Sequence, residues 1–435
     1  MTVSALPEDK NIPSDKERRP GPYAWYVVIV LMLAYTLSYI DRKMPFILVE
    51  SIKHDLNLSD TQIGLLTGMM FAVIYAVAGI PLARIADRRS RKMLMSGAIL
   101  VWSVLTAFGG FAANFWMLAV SRAGVAAGEA ACTPAAHSLI ADYIPRRFRS
   151  RAIGVYLVGS PLGALLGLAI GGWVNEMADW RMAMFALGLP GILLAALIFF
   201  TIREPLRSGG HTEGLADEGP GIVEAVKVFM NHPALRHLII GMTMAGVTSA
   251  AFQAFAPAYI IRTFGLGTAE IGLTYGAALG ISGVVGTLLG GVLGDRLRGS
   301  RPGSGLAFLS LPLAVGAIAL LIGLFSNNYL VFLASVLVLQ AGYLVVGAPS
   351  FAATQAIVSP RMHAVASAII LLGVSGVGLS IGPLLAGAIS DMLRNLGPQE
   401  ALRWALLVMT LPHLLAATHY LLAGRAIRRI AEAAS

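Results

Sequence analysis

The chain alternates between long apolar segments and short polar loops. A membrane-crossing helix needs about 20 mainly apolar residues, and on that measure the pattern predicts twelve helices. The first six cover 23–49, 60–86, 92–112, 115–141, 152–175 and 181–202, and the last six cover 233–261, 268–294, 304–326, 328–357, 362–390 and 402–424. The longest polar interval separates the two sets. The sequence therefore predicts an all-α membrane protein with twelve transmembrane helices in two six-helix bundles.

The polar interval also sets the predicted domain boundaries. These are an N-terminal tail 1–21, a first bundle 22–202, an interdomain loop 203–232, a second bundle 233–427 and a C-terminal tail 428–435. Within the loop, Val223–Met230 has the amphipathic pattern of a helix that lies on the membrane surface. Lys and Arg are concentrated in one set of loops, which includes both termini, so we expect the termini and the interdomain loop to be cytoplasmic. The first 20 residues lack the pattern of a cleaved signal peptide.

Composition supports a membrane protein. The 435 residues are 57% hydrophobic and only 13% charged, whereas soluble domains are about 25% charged. The net charge of +9 comes from bases in short loops, which form no extended surface for nucleic acid. The single cysteine, Cys132, excludes an intrachain disulfide. We find no phosphate-binding Gly-rich loop, no metal-spaced Cys/His group and no nucleophile–base arrangement, so we expect no enzyme, no cofactor and no metal.

A short acidic-basic motif follows the second predicted span of each half. The first copy carries Asp87, Arg88, Arg91 and Lys92, and the second carries Gly290, Gly294, Asp295 and Arg296. A repeat at half the chain length indicates a duplicated membrane unit. Together with the spans, it resembles the major facilitator superfamily, whose loop motif is G-x-x-x-D-R-x-G-R-R. The resemblance implies that Asp87, Arg88, Asp295 and Arg296 form a conformational latch; the alternative is a solvated loop.

A narrower resemblance is to the spinster-type carriers. It rests on Tyr39-Ile40-Asp41-Arg42, on the run from Arg122 through Glu129 to Asp142, and on Phe255-Ala256-Pro257-Ala258-Tyr259. That family implies proton-coupled movement of sphingosine-phosphate-like or lysophospholipid-like molecules by alternating access. We therefore expect a multi-pass, monomeric protein of the inner membrane, whose partners are membrane lipids, protons and a small amphipathic anion.

We interpret four ionisable residues as the interior charges of the predicted spans: Asp41, Arg42, Arg122 and Glu129. A charged side chain in the middle of a membrane helix costs about 2.5–3.5 kcal/mol on insertion scales, so these should face a cavity or each other. Asp41 and Glu129 are the predicted proton-coupling residues. Arg42 needs a carboxylate partner, either Asp41 or Glu129, when no substrate is bound. The alternative is a static salt-bridge cluster that fixes helix packing.

The predicted substrate-binding residues combine cations with aromatic and hydroxyl groups: Arg42, Arg122, Tyr39, Thr133, Phe255 and Tyr259. A guanidinium offers a planar fork for phosphate or carboxylate. Two rival functions stay open. One is a proton-coupled carrier of small organic or sugar acids on the same fold. The other is a receptor or lipid scramblase without energy coupling, in which transport would be indifferent to Asp41 and Glu129.

Overall fold

A computed structural model describes residues 19–205, 222–297 and 302–434, and the regular structure in these ranges is helical throughout. The first half contains α1 Pro22–Leu56, α2 Asp60–Gly64, α3 Met70–Arg88, α4 Arg91–Gly109, α5 Phe115–Ala130, α6 Cys132–Tyr143, α7 Arg149–Leu157, α8 Gly159–Met177 and α9 Trp180–Thr201. The second contains α10 Ile222–Asn231, α11 Pro233–Phe264, α12 Thr268–Leu297, α13 Ser304–Phe308, α14 Ser310–Leu324, α15 Tyr329–Val345, α16 Gly347–Ile357, α17 His363–Leu371, α18 Leu379–Met392, α19 Pro398–Val408 and α20 Leu411–Ala434.

Within the described ranges, eleven helical stretches are long and apolar enough to cross a membrane. They correspond to all the predicted spans except the fourth. That segment forms α5 and α6, which are separated at Ala131. It carries both Arg122 and Glu129 in its middle, and these two charges weaken its membrane signal.

Two predicted spans contain a wider helical turn at their centre. Leu65–Met69 between α2 and α3, and Leu372–Gly378 between α17 and α18, are π-helical. Such turns are uncommon and often occur at functional sites. Next to the first, a Cβ on Gly64 would lie 2.3 Å from the Pro383 carbonyl oxygen. Only glycine permits this approach, so the sequence brings α2 directly onto α18.

Glycines spaced four residues apart bring α8 against α1. A Cβ on Gly159, Gly163 or Gly167 would lie 2.7, 2.3 or 2.8 Å from a backbone oxygen of α1, at Met32, Thr36 or Ile40 respectively. Small residues at this four-residue spacing in a membrane span are typical of close helix contact, and the structure shows that contact. The close packing positions the turn of α1 that carries Asp41 and Arg42.

The main contacts between the two halves, within the described ranges, involve three pairs of α-helices. In these pairs α8 packs on α12, α2 packs on α18, and α1 crosses α11. Residues 1–18 of the predicted tail 1–21, the centre of the interdomain loop at 206–221 and Ser435 lie outside the described residues. The amphipathic segment of that loop forms the helix α10. At the other end of the chain, α20 continues through the predicted C-terminal tail to Ala434.

Candidate functional site

An ion pair joins α1 to α5 in the interior of the first half. Arg42 Nε lies 2.5 Å from Glu129 Oε2, and the Ser38 hydroxyl donates to the same oxygen at 2.7 Å. Glu129 is 1% exposed. Desolvation of a carboxylate is costly unless a charged partner compensates it. Of the two partners that the sequence allowed for Arg42, the structure selects Glu129.

Asp41 lies on the same turn of α1 as Arg42 but contacts a different helix. Its Oδ1 accepts a hydrogen bond from the Thr106 hydroxyl of α4 at 3.1 Å, and the residue is 1% exposed. Among the residues that the structure describes, Asp41 Oδ2 and Glu129 Oε1 have no hydrogen-bond partner. Each of the two buried carboxylates therefore keeps one oxygen that no other group of the described chain satisfies.

Arg122 is the second guanidinium of this cluster. It is 4% exposed, and within the described chain its Nε and one terminal nitrogen lack a hydrogen-bond partner. Its Cζ lies 5.5 Å from the centre of the Phe71 ring, and the Cζ of Arg42 lies 5.2 Å from the same ring. Both guanidinium groups therefore lie within cation–π distance of one aromatic ring.

Aromatic rings surround Arg42. Tyr39, Phe71 and Tyr75 place their ring centres 5.3, 5.2 and 4.5 Å from its Cζ. Tyr39 was predicted from the sequence to contact substrate. Phe71 and Tyr75 come from α3, and the sequence offers no signal that they approach this guanidinium. The arrangement holds the charged end of Arg42 without a second carboxylate.

The other predicted substrate residues have different surroundings. Thr133 on α6 is half-buried next to Tyr156. Phe255 and Tyr259 on α11 are fully buried, and the Tyr259 hydroxyl donates to the Leu324 carbonyl at 3.0 Å. In this conformation both rings are buried in a hydrophobic core to which the two halves contribute. Tyr259 packs against Phe332 there, and neither ring presents surface to a ligand.

Lys43 is an interior cation that the sequence interpretation omitted. It follows Arg42 directly, and its ammonium donates to Gln253 Oε1 on α11 of the second half. Gln253 Nε2 donates to Ser249 at 3.0 Å, and Ser249 donates to Gln340 Oε1 at 2.7 Å. The signal was available, since Lys43 is an ionisable residue in an apolar span. Nothing in the sequence indicates that its partner is Gln253 in the other half.

A second charged network connects the two halves at the end of the molecule that we call the Arg262 end. The Arg262 guanidinium forms two hydrogen bonds to the Asp60 carboxylate, at 2.7 and 2.9 Å, and contacts Glu50 Oε1 at 2.6 Å. Lys53 also pairs with Asp60. Arg262 belongs to α11, whereas Glu50, Lys53 and Asp60 belong to the first half.

The same end contains a helix cap that crosses between the halves. Asp391 of α18 accepts the backbone N–H groups of Asp60 and Thr61 at 3.0 and 2.8 Å, and Ser390 donates to Asp60 Oδ2 at 2.6 Å. A carboxylate at a helix N-terminus is favoured by the dipole of that helix. The network therefore joins the two halves at this end, and the sequence did not predict that Arg262, Lys53 and Asp60 come together.

The basic motif of the first half forms a third network. Arg91 is 2% exposed, and it contacts Asp142, Ser138 and Glu204 of the same half. Burial opposes ionisation of Glu204. However, hydrogen bonds from the Ser90 hydroxyl, the Lys92 N–H and Arg91 hold the pKa of Glu204 below its ordinary value. Arg91, which was counted in the motif, is thus the residue that joins α4 and α6 to the end of α9.

The predicted latch residues lie at helix ends. Asp87 and Arg88 occupy the last turn of α3, and their side chains lie outside the part that the structure describes. Asp295 and Arg296 are exposed in the last turn of α12. The latch role of all four residues stays a prediction.

Three kinds of comparison relate this chain to known proteins. A family model described as Major Facilitator Superfamily matches residues 31–383. An "MFS-type efflux pump" of Mycolicibacterium smegmatis is 35% identical over 428 residues, covering 96% of this chain and 97% of that protein. Human "Protein spinster homolog 1" is 27% identical over 429 residues, covering 91% of this chain and 78% of that protein.

Solved structures give the same result. A crystal structure of a bacterial homologue of the human lysosomal transporter Spinster, in an inward-facing and unoccupied conformation, matches with a TM-score of 0.83 at 29% identity. It covers 94% of this chain and 98% of that one. The nucleoside transporter NupG matches with a TM-score of 0.70 at 13% identity, covering 91% of this chain and 99% of that one; that likeness concerns the fold alone.

Proposed function

Because this chain belongs to the major facilitator superfamily and is a transporter of the spinster type, we propose that it is a proton-coupled carrier of an amphipathic, lipid-like anion that works by alternating access. It is a multi-pass protein of the inner membrane and not an enzyme. The observation that carries the proposal is the buried Arg42–Glu129 pair, with Asp41 on the same turn of α1.

Proton coupling is supported by the chemistry of that pair. When Glu129 is ionised, it pairs with Arg42; when it takes up a proton, the attraction is lost and Arg42 is released to its aromatic neighbours. A carboxylate that exchanges between these two forms links a proton to the position of α1 relative to α5. Asp41 supplies a second titratable group in the same interior.

Alternating access is supported by the asymmetric placement of the contacts between the halves. The network of Arg262, Glu50, Asp60 and Asp391 closes the Arg262 end, which we expect to face away from the cytoplasm. This is the arrangement of a transporter closed on the outside. For the substrate to pass, these contacts must break while others form at the opposite end.

The cargo class is supported by the positive cluster and its aromatic surroundings. Cations inside the membrane favour an anion, and an aromatic lining tolerates an acyl chain. The M. smegmatis efflux pump favours export as the direction of transport. A small organic acid on the same fold is the second candidate, because the cations suit either anion.

The proposal is tested by reconstitution in liposomes with an imposed pH gradient. Lysophospholipids and short organic acids are supplied separately, and uptake is followed with the gradient and after a protonophore. Gradient-driven accumulation of the lysophospholipids is the expected result. Accumulation only of the organic acids would select the second candidate, and equal flux with and without the gradient would contradict proton coupling.

A further inference from the structure

We propose that Lys43 receives the anionic group of the cargo, whereas Arg42 is reserved for the proton-coupling carboxylate. This rests on the proposed function and assigns its anion site to a residue that the sequence interpretation passed over. We assign different roles to Arg42 and Lys43 because these adjacent cations have different partners.

The Arg42 charge is already neutralised. Its Nε contacts Glu129 at 2.5 Å, and three aromatic rings surround the guanidinium. An incoming phosphate or carboxylate would have to displace a buried carboxylate from this position, and would leave Glu129 desolvated without a counterion. Such an uncompensated buried charge is strongly unfavourable.

Lys43 has the opposite environment. Its ammonium donates to the neutral amide oxygen of Gln253, and its other close neighbour is the Phe46 ring, whose centre lies 5.1 Å away. Within the described ranges, no carboxylate lies within ion-pair distance of Lys43. An anion would replace the neutral amide acceptor of the ammonium with a charged acceptor, so Lys43 would gain an ion pair as well as a hydrogen bond.

The charge balance of the interior points the same way. Asp41 and Glu129 supply two negative charges when ionised, while Arg42, Lys43 and Arg122 supply three positive charges. The five residues therefore carry one excess positive charge, which a singly charged anion would neutralise. Lys43 is half-buried and is less enclosed than Arg122.

The position of Lys43 also connects cargo to movement. It lies on α1 of the first half and its partner Gln253 lies on α11 of the second. In the empty carrier the hydrogen bond joins the halves. When an anion binds, the ammonium pairs with it instead of with Gln253, and the hydrogen bond between the halves is lost. Ser249 and Gln340 continue the polar chain into the second half, where they offer donors and acceptors to a polar headgroup.

The test measures equilibrium binding to the purified protein in phosphatidylcholine nanodiscs, so that it does not depend on a proton gradient. The probes are tritiated oleoyl lysophosphatidate and monooleoylglycerol, which share an acyl chain and a glycerol and differ by the phosphate. Lys43→Gln should weaken lysophosphatidate binding by about 10- to 100-fold, the range of a lost hydrogen bond to a charged group, and leave monooleoylglycerol unchanged. Lys43→Arg should retain most of the binding.

A second variant tests the site without removing the lysine. Gln253→Glu places a carboxylate against the ammonium, and should weaken lysophosphatidate binding in the same range while monooleoylglycerol binds normally. Lys227→Gln is the matched control, because it removes one lysine charge from the exposed surface of α10 and should change neither affinity. Size-exclusion chromatography verifies that each variant is folded.

Each outcome either supports or overturns the assignment of Lys43 to the anion. If Lys43→Gln binds lysophosphatidate like the wild type, the inference is wrong while the proposed function stands. An equal loss for both lipids would mean that Lys43 only supports packing, which also overturns it. If the wild type shows no preference for the phosphate, the anionic cargo itself fails, and the inference with it. Competition by glycerol 3-phosphate that disappears in Lys43→Gln would support the site and favour a small acid as cargo.

Discussion

Arg42 and Glu129 are 87 positions apart in the chain and 2.5 Å apart in the structure, where they join α1 to α5. Neither residue has a comparable charged partner on its own helix, since Asp41 hydrogen-bonds to Thr106 instead. The pair is therefore a tertiary contact between two helices. In the mechanism proposed above, a proton on Glu129 breaks this pair and so changes the position of α1 relative to α5.

We predict that neutral carboxylate variants abolish gradient-driven transport. Glu129→Gln and Asp41→Asn keep the shape of the side chain but cannot titrate. In liposomes with an imposed pH gradient, each should fail to accumulate lysophospholipid, while downhill exchange of the same lipid persists. If either variant accumulates substrate with the normal pH dependence, that carboxylate is not the coupling site.

Removal of Arg42 should destabilise the protein through Glu129. Arg42→Ala leaves a buried carboxylate without its counterion, which costs about 3–5 kcal/mol, and should lower the thermal unfolding temperature clearly. The double variant Arg42→Ala/Glu129→Gln should recover most of that loss, since no charge is then stranded. Unfolding followed by intrinsic tryptophan fluorescence measures both. A double variant no more stable than Arg42→Ala would show that the pair is not energetically coupled.

Loss of Arg262 should open the end of the molecule where it lies. Arg262→Gln removes the two hydrogen bonds to Asp60 and the contact with Glu50, so the population closed at this end should decrease. Spin labels on His54→Cys and Asn395→Cys, in a Cys132→Ala background, should show a longer distance distribution. Both positions are exposed, and they lie in opposite halves.

Arg403→Gln is the matched control for that measurement. Arg403 lies at the same end, but its partners Glu400 and Tyr259 are in its own half. The distance distribution of this variant should equal that of the parent protein. If Arg262→Gln and Arg403→Gln behave alike, the contacts between the halves do not hold this end closed.

Glu204 should contribute to stability in a pH-dependent way. Its pKa is held below the ordinary value, so its stabilising contribution is present at neutral pH and is lost as the pH falls through the lowered pKa. Glu204→Gln should therefore lower the unfolding temperature at pH 7, and the difference from the wild type should shrink at pH 4 and below. A difference that stays constant across this range would argue against the assignment.

Topology is predicted from the basic loops. A cysteine placed at Ser208 of the interdomain loop, in the Cys132→Ala background, should react with an impermeant maleimide only after the cells are permeabilised. Asn395→Cys, at the Arg262 end, is the control for the other face of the inner membrane. It should react in intact cells once the reagent can pass the cell envelope outside that membrane. Labelling of Ser208→Cys in intact cells would reverse the orientation.

The sequence by itself determined the fold class, and it did so for a physical reason. A helix satisfies its own backbone hydrogen bonds, so each apolar segment of sufficient length becomes a membrane helix almost regardless of its neighbours. The duplicated motif at Asp87 and Asp295 indicated two related halves, and the glycines at 159, 163 and 167 indicated a close helix contact. The interior charges at Asp41, Arg42, Arg122 and Glu129 could be found because charge is rare in such segments.

Only the tertiary structure decided which of these residues meet. The choice of Glu129 over Asp41 as partner of Arg42, the contact of Lys43 with Gln253, and the clamp of Arg262 on Asp60 each join distant segments. A local hydropathy pattern carries no information on helix rotation or neighbours, because lipid accepts any apolar face. Only helix packing shows that Phe255 and Tyr259 are core residues. It also shows that Arg91 is the buried arginine at the centre of its network.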